Sequence, residues 1–133
     1  MFRQFLRGKI HRATITQCDP DYVGSITIDA DLLRAADIRP NELVHVVCVD
    51  NAARFETYVI RGEPGSGIIG VNGAAAKLVK PGYKVIIMCY GMLTNEQIED
   101  HHARVILADD HNRASQVLLY SSNIDEPAFF SQK

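Results

Sequence analysis

Apolar and polar residues along this chain alternate with a period near two in short stretches, punctuated by Gly, Pro, Asn and Asp. That period places successive side chains on opposite faces of a strand, so the pattern predicts many short, half-buried strands. The first covers residues 8–16, with Ile10, Arg12, Thr14 and Thr16 opposed to His11, Ala13 and Ile15. Cys18-Asp19-Pro20-Asp21 predicts a turn, because proline fixes φ and aspartate bonds its own backbone. Further strands are expected at 25–29 (Ile26 and Ile28 on one face, Thr27 on the other), 43–49, 54–61, 68–71 and 83–90. Asp29 is placed to cap a helix over 30–36, where Leu32, Leu33 and Ala36 share a stripe, and Arg39-Pro40-Asn41 ends it. Turns fall at residues 62–67 and at Lys80-Pro81-Gly82. Asn72-Gly73-Ala74-Ala75-Ala76-Lys77 reads as the first turn of a small helix.

After Tyr90 the alternation weakens. Thr94 and Gln97 have the spacing of a capping box, and residues 104–108 predict a last strand. Residues 121–133 mix Ser, Asn, Asp and Pro with Phe129-Phe130, and are expected to form a mobile tail or an arm on a neighbouring subunit. Short strands at close spacing predict a mainly β fold, a closed barrel or sandwich with short helices, as a single domain over residues 1–120.

A length of 133 residues fits one such domain, and 47% hydrophobic with 23% charged residues describes an ordinary soluble protein. The net charge of −2 and the scattered basic residues argue against a nucleic-acid partner. No apolar run approaches the ~20 residues of a membrane span, and the first residues have no signal-peptide core. Cys18, Cys48 and Cys89 are odd in number and form no CxxC pair, which predicts reduced thiols and a cytoplasmic location. His101-His102 and Asp109-Asp110-His111 lack metal-site spacing, so no metal is expected.

Four pieces stand out in order: Gly8-Lys9-Ile10-His11-Arg12, Tyr22-Val23-Gly24-Ser25, Arg54-Phe55-Glu56-Thr57-Tyr58 and Val71-Asn72-Gly73-Ala74-Ala75-Ala76. Each is commonplace alone. Together, at these separations, they resemble the aspartate 1-decarboxylases, pyruvoyl-dependent enzymes that make β-alanine for pantothenate synthesis. The resemblance runs from the first residue to about Tyr90. It implies a double-psi β-barrel, a homotetramer with active sites between subunits, and a proenzyme that cuts itself at Gly24-Ser25 into residues 1–24 and 25–133.

The resemblance also assigns roles. Ser25 attacks the Gly24 carbonyl and becomes the pyruvoyl group, with Thr57 assisting; glycine at 24 suits the attack because it carries no Cβ. The pyruvoyl carbonyl forms a Schiff base with L-aspartate, and the adjoining amide carbonyl delocalises the electron pair left by the departing carboxylate, so no added cofactor is needed. Tyr58 is the proton donor. Arg54 holds a substrate carboxylate as a planar fork, and Lys9 neutralises the second charge. Asn72 fixes local geometry, and Thr57, Gly73, Ala74 and Ala75 line the substrate site. Tyr22 and His11 lie near it without a defined role.

On strand faces alone, Thr57 and Tyr58 would read as packing residues, and Lys9 and Arg54 as solvated charges. Two alternatives therefore stand beside the decarboxylase: an uncut barrel that binds a small acidic ligand or partner, and a pyruvoyl enzyme for another amino acid. The sequence leaves open whether cleavage is unaided or requires a maturation factor.

Overall fold

The computed structural model describes residues 1–132; Lys133, the last residue of the expected tail, lies outside the described residues. Ten strands, two short helices and one 3₁₀ turn follow in chain order. They are β1 (Phe2–Thr14), β2 (Gln17–Asp19), β3 (Ser25–Asp29), α1 (Ala30–Ala36), β4 (Leu43–Cys48), β5 (Arg54–Gly62), β6 (Ile69–Asn72), the 3₁₀ turn (Gly73–Lys77), β7 (Lys84–Thr94), α2 (Asn95–Ile98), β8 (His102–Ala108), β9 (Ala114–Ser121) and β10 (Phe129–Ser131). The mainly β expectation holds. Among the described residues no helix is long and apolar enough to cross a membrane.

The strands lie in the order β10-β9-β8-β1-β7-β4-β5-β3-β6-β2. β1 stands fourth and β2 last, yet only Ile15 and Thr16 separate them in the chain. The sheet must therefore curl until its β6–β2 edge meets the end of β1. Two hydrogen bonds mark the join: Ile15 N–H donates to Tyr83 O at 2.9 Å, and Thr16 N–H donates to Ile69 O at 2.8 Å. Curling leaves one closed interior. Ile10, Ile26, Ile28, Val44, Val46, Val59, Ile69, Val71, Val85 and Ile87 fill it, and Leu32 and Leu33 of α1 join the same cluster.

The local devices explain the elements. Asp29 is wholly buried, and its carboxylate accepts from Asp31 N–H at 2.8 Å as the cap of α1. The same carboxylate accepts from Gly65 N–H and Gly67 N–H, so one cap also holds the β5–β6 turn. The helix ends at Asp37, which takes a left-handed φ of 56° and returns Ile38 N–H to Leu33 O, rather than at Pro40. Thr94 and Gln97 form the expected capping box of α2.

Three features depart from the sequence expectation. Arg12 has φ 63° in a bulge, so Ile10, Ala13 and Ile15 are all buried instead of falling on opposed faces. β1 begins six residues early, because Phe2 to Leu6 ladder against Thr94 to Tyr90 and lengthen β7 as well. β9 was not expected; it pairs along β8 through the Asp109–Arg113 turn, and β10 pairs antiparallel with β9, Phe129 facing Tyr120.

The cysteines are free, and Cys48 and Cys89 are buried. Burial pushes the Cys89 thiol up to about 11, against a weaker pull downward from Arg7. The folded state thus keeps a proton that the unfolded chain has released, so this group's contribution falls as pH rises above the unfolded value. Urea unfolding is expected to lose about 1 kcal/mol through Cys89 between about pH 8 and about pH 10, and Cys89→Ala to remove that part of the slope.

Candidate active site

The site is built where β3 begins and β6 ends, beside the middle of β5. Tyr22, Val23 and Gly24 form an exposed approach, and Ser25, at 1% exposure, is the first residue of β3. β3 runs antiparallel to β6 with Ser25 opposite Asn72, and parallel to β5 with Ile26 opposite Val59. Ile26 and Val59 belong to the core, so alternation turns Ser25, Thr27 and Asn72 to the other face.

On that face the polar groups pair closely. Ser25 O–H donates to Val23 O at 3.2 Å. Asn72 Nδ2 donates to Ser25 Oγ at 2.9 Å and to Thr27 Oγ1 at 3.1 Å. The serine oxygen is therefore held from two sides beside the peptide unit that precedes it. Beyond Asn72 the 3₁₀ turn begins at Gly73, whose φ of 77° belongs to the left-handed region. A Cβ at Gly73 would sit 2.6 Å from Gly24 Cα, so the two glycines bring backbone against backbone. Ala74 is exposed and Ala75 half-buried along the same turn.

β5 supplies the neighbouring residues. One step before the Ile26–Val59 pair, the same register brings Tyr58 level with Ser25, and Thr57 precedes Tyr58 on the strand. Tyr58, at 37% exposure, lies on the Ser25 face with Leu43 beside it on β4. Thr57 pairs with buried Val44 and faces the barrel interior at its end. Arg54, Glu56 and Tyr58 alternate along the outer face, which places Arg54 about 13 Å of strand away from Tyr58. Glu56 meets His45 Nε2 at 3.5 Å, and Arg54 lines a cleft of about 150 Å³ with both.

Lys9 is not brought to Ser25 within one chain. It pairs with Met88, Met88 with His45, and His45 with Glu56, a row across β1, β7, β4 and β5. Three strand spacings separate Lys9 from Glu56, about 14 Å along the sheet. His11 follows Lys9 on β1, opposite Leu107, and its Nδ1 is buried without a partner. Burial first, then the Lys9 and Arg12 charges, hold the imidazole below its ordinary value. Tyr22 is exposed, its N–H donating to Asp19 O.

Thr27 is the member of this group that the motifs did not mark. Its signal was the strand alternation, which places a second hydroxyl two residues after Ser25 on the same face.

Fold and site together define a small β-barrel in which the only buried hydroxyl residue, among those described, is fixed against its own preceding backbone. The chain belongs to the aspartate decarboxylase family, whose model matches residues 1–115. It is 52% identical over 118 residues to the aspartate 1-decarboxylase of Bacillus cereus (strain B4264), covering 89% of this chain and 93% of that protein. The aspartate 1-decarboxylase of Listeria monocytogenes serovar 1/2a matches at the same identity and coverage.

Proposed function

We propose that this protein decarboxylates L-aspartate to β-alanine and CO2, the step that supplies β-alanine for pantothenate and coenzyme A, after cutting its own Gly24–Ser25 bond. The observation that carries the cleavage is the buried Ser25 hydroxyl, bonded to Val23 O and Asn72 Nδ2 directly after an exposed Gly24. Family membership carries the substrate. The double-psi form of the barrel and a cytoplasmic location belong to the same proposal.

Cleavage requires that Ser25 Oγ attack the Gly24 carbonyl carbon. The Oγ–C bond forms, the C–N bond breaks and the Oγ proton passes to the Ser25 nitrogen, leaving an ester. Loss of the Ser25 Cα proton then expels the Gly24 carboxylate with Oγ, and hydrolysis of the resulting dehydroalanine releases ammonia and leaves a pyruvoyl group. Thr57 is the side chain proposed to assist the attack. A donor aimed at an oxyanion is worth about 3–4 kcal/mol in well-studied enzymes.

The surroundings fit such a group, because the side chains facing Ser25 offer N–H and O–H donors: Asn72, Thr27 and Tyr58. When present, the pyruvoyl group would take the substrate amine at its ketone carbon, and its adjoining amide carbonyl would delocalise the electron pair that the departing carboxylate leaves. Tyr58 is the residue proposed to deliver a proton to the substrate carbon. Gly73, Ala74 and Ala75 offer backbone N–H groups beside the site, and Arg54 offers a fork for a carboxylate.

Both positive charges must come from elsewhere, since Arg54 stands about 13 Å along β5 from Tyr58 and the Lys9 row lies across the sheet from Ser25. A homotetramer with sites between subunits meets that need. Tyr58, Leu43 and Val23 are exposed around the site, as an interface would have them.

The test is direct. Purified protein is expected to separate into residues 1–24 and 25–133, and borohydride with L-aspartate to add mass to the larger piece only. A chain that remains whole, with or without cell extract to supply a maturation factor, refutes the proposal. Turnover of aspartate against glutamate checks the substrate.

A further inference from the structure

The Asn72 side-chain amide nitrogen carries two hydrogens, and the fold places two hydroxyl oxygens within hydrogen-bond distance of it: Ser25 Oγ at 2.9 Å and Thr27 Oγ1 at 3.1 Å. Both hydroxyls stand on one face of β3, and Asn72 is the register partner of Ser25 on β6. Because the Ser25 hydrogen is already given to Val23 O, Oγ has its lone pairs free to receive an N–H. We infer that Thr27 is a positioning residue for the self-cleavage proposed above, on which this inference rests: its oxygen holds the Asn72 amide so that an N–H stays on Ser25 Oγ.

That N–H matters most where charge gathers on Oγ. During the attack Oγ loses its proton to the Ser25 nitrogen. During the elimination the Cβ–Oγ bond breaks and its electron pair leaves on Oγ, as part of the Gly24 carboxylate. A donor already in place at that atom needs no reorganisation when the charge appears. Without the Thr27 oxygen, the second Asn72 N–H has no acceptor on the protein and the amide is free to turn about its own bond. Its hydrogen bond to Oγ is then no longer fixed.

The experiment follows conversion of the 133-residue proenzyme into its two pieces by intact mass, for wild type, Thr27→Val and Thr27→Ser. Valine keeps the branched shape of a strand residue and removes only the hydroxyl, while serine keeps the hydroxyl and removes only the methyl. Thr27→Val is expected to stay folded, to melt below wild type because an Asn72 N–H loses its acceptor, and to be cut about tenfold more slowly at a temperature where it is fully folded. Thr27→Ser is expected to be cut within about twofold of the wild-type rate. Cleavage of Thr27→Val at the wild-type rate overturns the inference, as does a Thr27→Ser protein as slow as Thr27→Val. The wild-type arm keeps the two readings apart. An uncut wild-type chain refutes self-cleavage itself, whereas a cut wild type with an equally cut Thr27→Val refutes only the role of Thr27.

Discussion

Ser25→Ala protein is expected to remain one uncut chain and to lose at least about a thousandfold in β-alanine formation, the scale of removing a nucleophile. The alanine lacks the oxygen that must attack Gly24, and without cleavage no carbonyl arises to take the substrate amine. The substitution leaves the barrel folded at a measurable cost. Ser25 is buried, but its hydroxyl bonds only Val23 O and Asn72 Nδ2, so the stability cost is about 1–3 kcal/mol, for the amide N–H left without its acceptor. Melting and intact mass together therefore separate the outcomes. A folded Ser25→Ala chain that is cut, or that releases CO2 from aspartate, refutes the mechanism.

The second large effect is expected at Gly73. An alanine there would place Cβ 2.6 Å from Gly24 Cα and 3.0 Å from Gly24 N, at a backbone φ of 77°. Both near contacts are backbone, which cannot swing aside as a side chain can. Relief must come by moving Gly24 away from Ser25 or by opening the 3₁₀ turn. Gly73→Ala is expected to slow cleavage by about a hundredfold, with a stability loss of about 1–3 kcal/mol from strain and crowding. Gly24 itself differs. Beyond its chain neighbours nothing lies within 4 Å of a Cβ built there, and its φ is not left-handed. The open space expected for the attack is present at Gly24, but the position that tolerates only glycine is Gly73. Gly24→Ala, followed in the same cleavage assay, is expected to be cut far faster than Gly73→Ala; equal rates would show that the Gly73–Gly24 contact does not set the geometry.

Much of this fold was legible where one local rule governs. Asp29 announces α1 because a carboxylate before a short apolar stripe has one good use, and residues 25–29 alternate cleanly because one face is core. The β1 pattern misled because Arg12 inserts a bulge, and nothing in a period of two reveals a left-handed residue. Phe2 to Leu6 escaped notice because that end of the β1–β7 ladder stands outside the core, where polarity is mixed. β9 carries Val117-Leu118-Leu119-Tyr120, a continuous apolar run with no alternation to read. At the site, the family motifs named Ser25 and Asn72, but the contact between them spans 47 positions and exists only through the β3–β6 ladder. For the same reason Thr27 was visible as a face and invisible as a partner.

The curl that closes the barrel would have a consequence for a chain cut as proposed. Residues 1–24 contribute β1, locked between β7 and β8, and β2, which pairs with β6 at the other end of the strand order. Severing one peptide bond after Gly24 removes no ladder from the barrel. The small piece is threaded through the larger one as a clasp, and its release would require the core around Ile10, Ala13 and Ile15 to open. Scission and dissociation are thereby uncoupled, so a new chain terminus can arise at Ser25 while the walls around it stay in place.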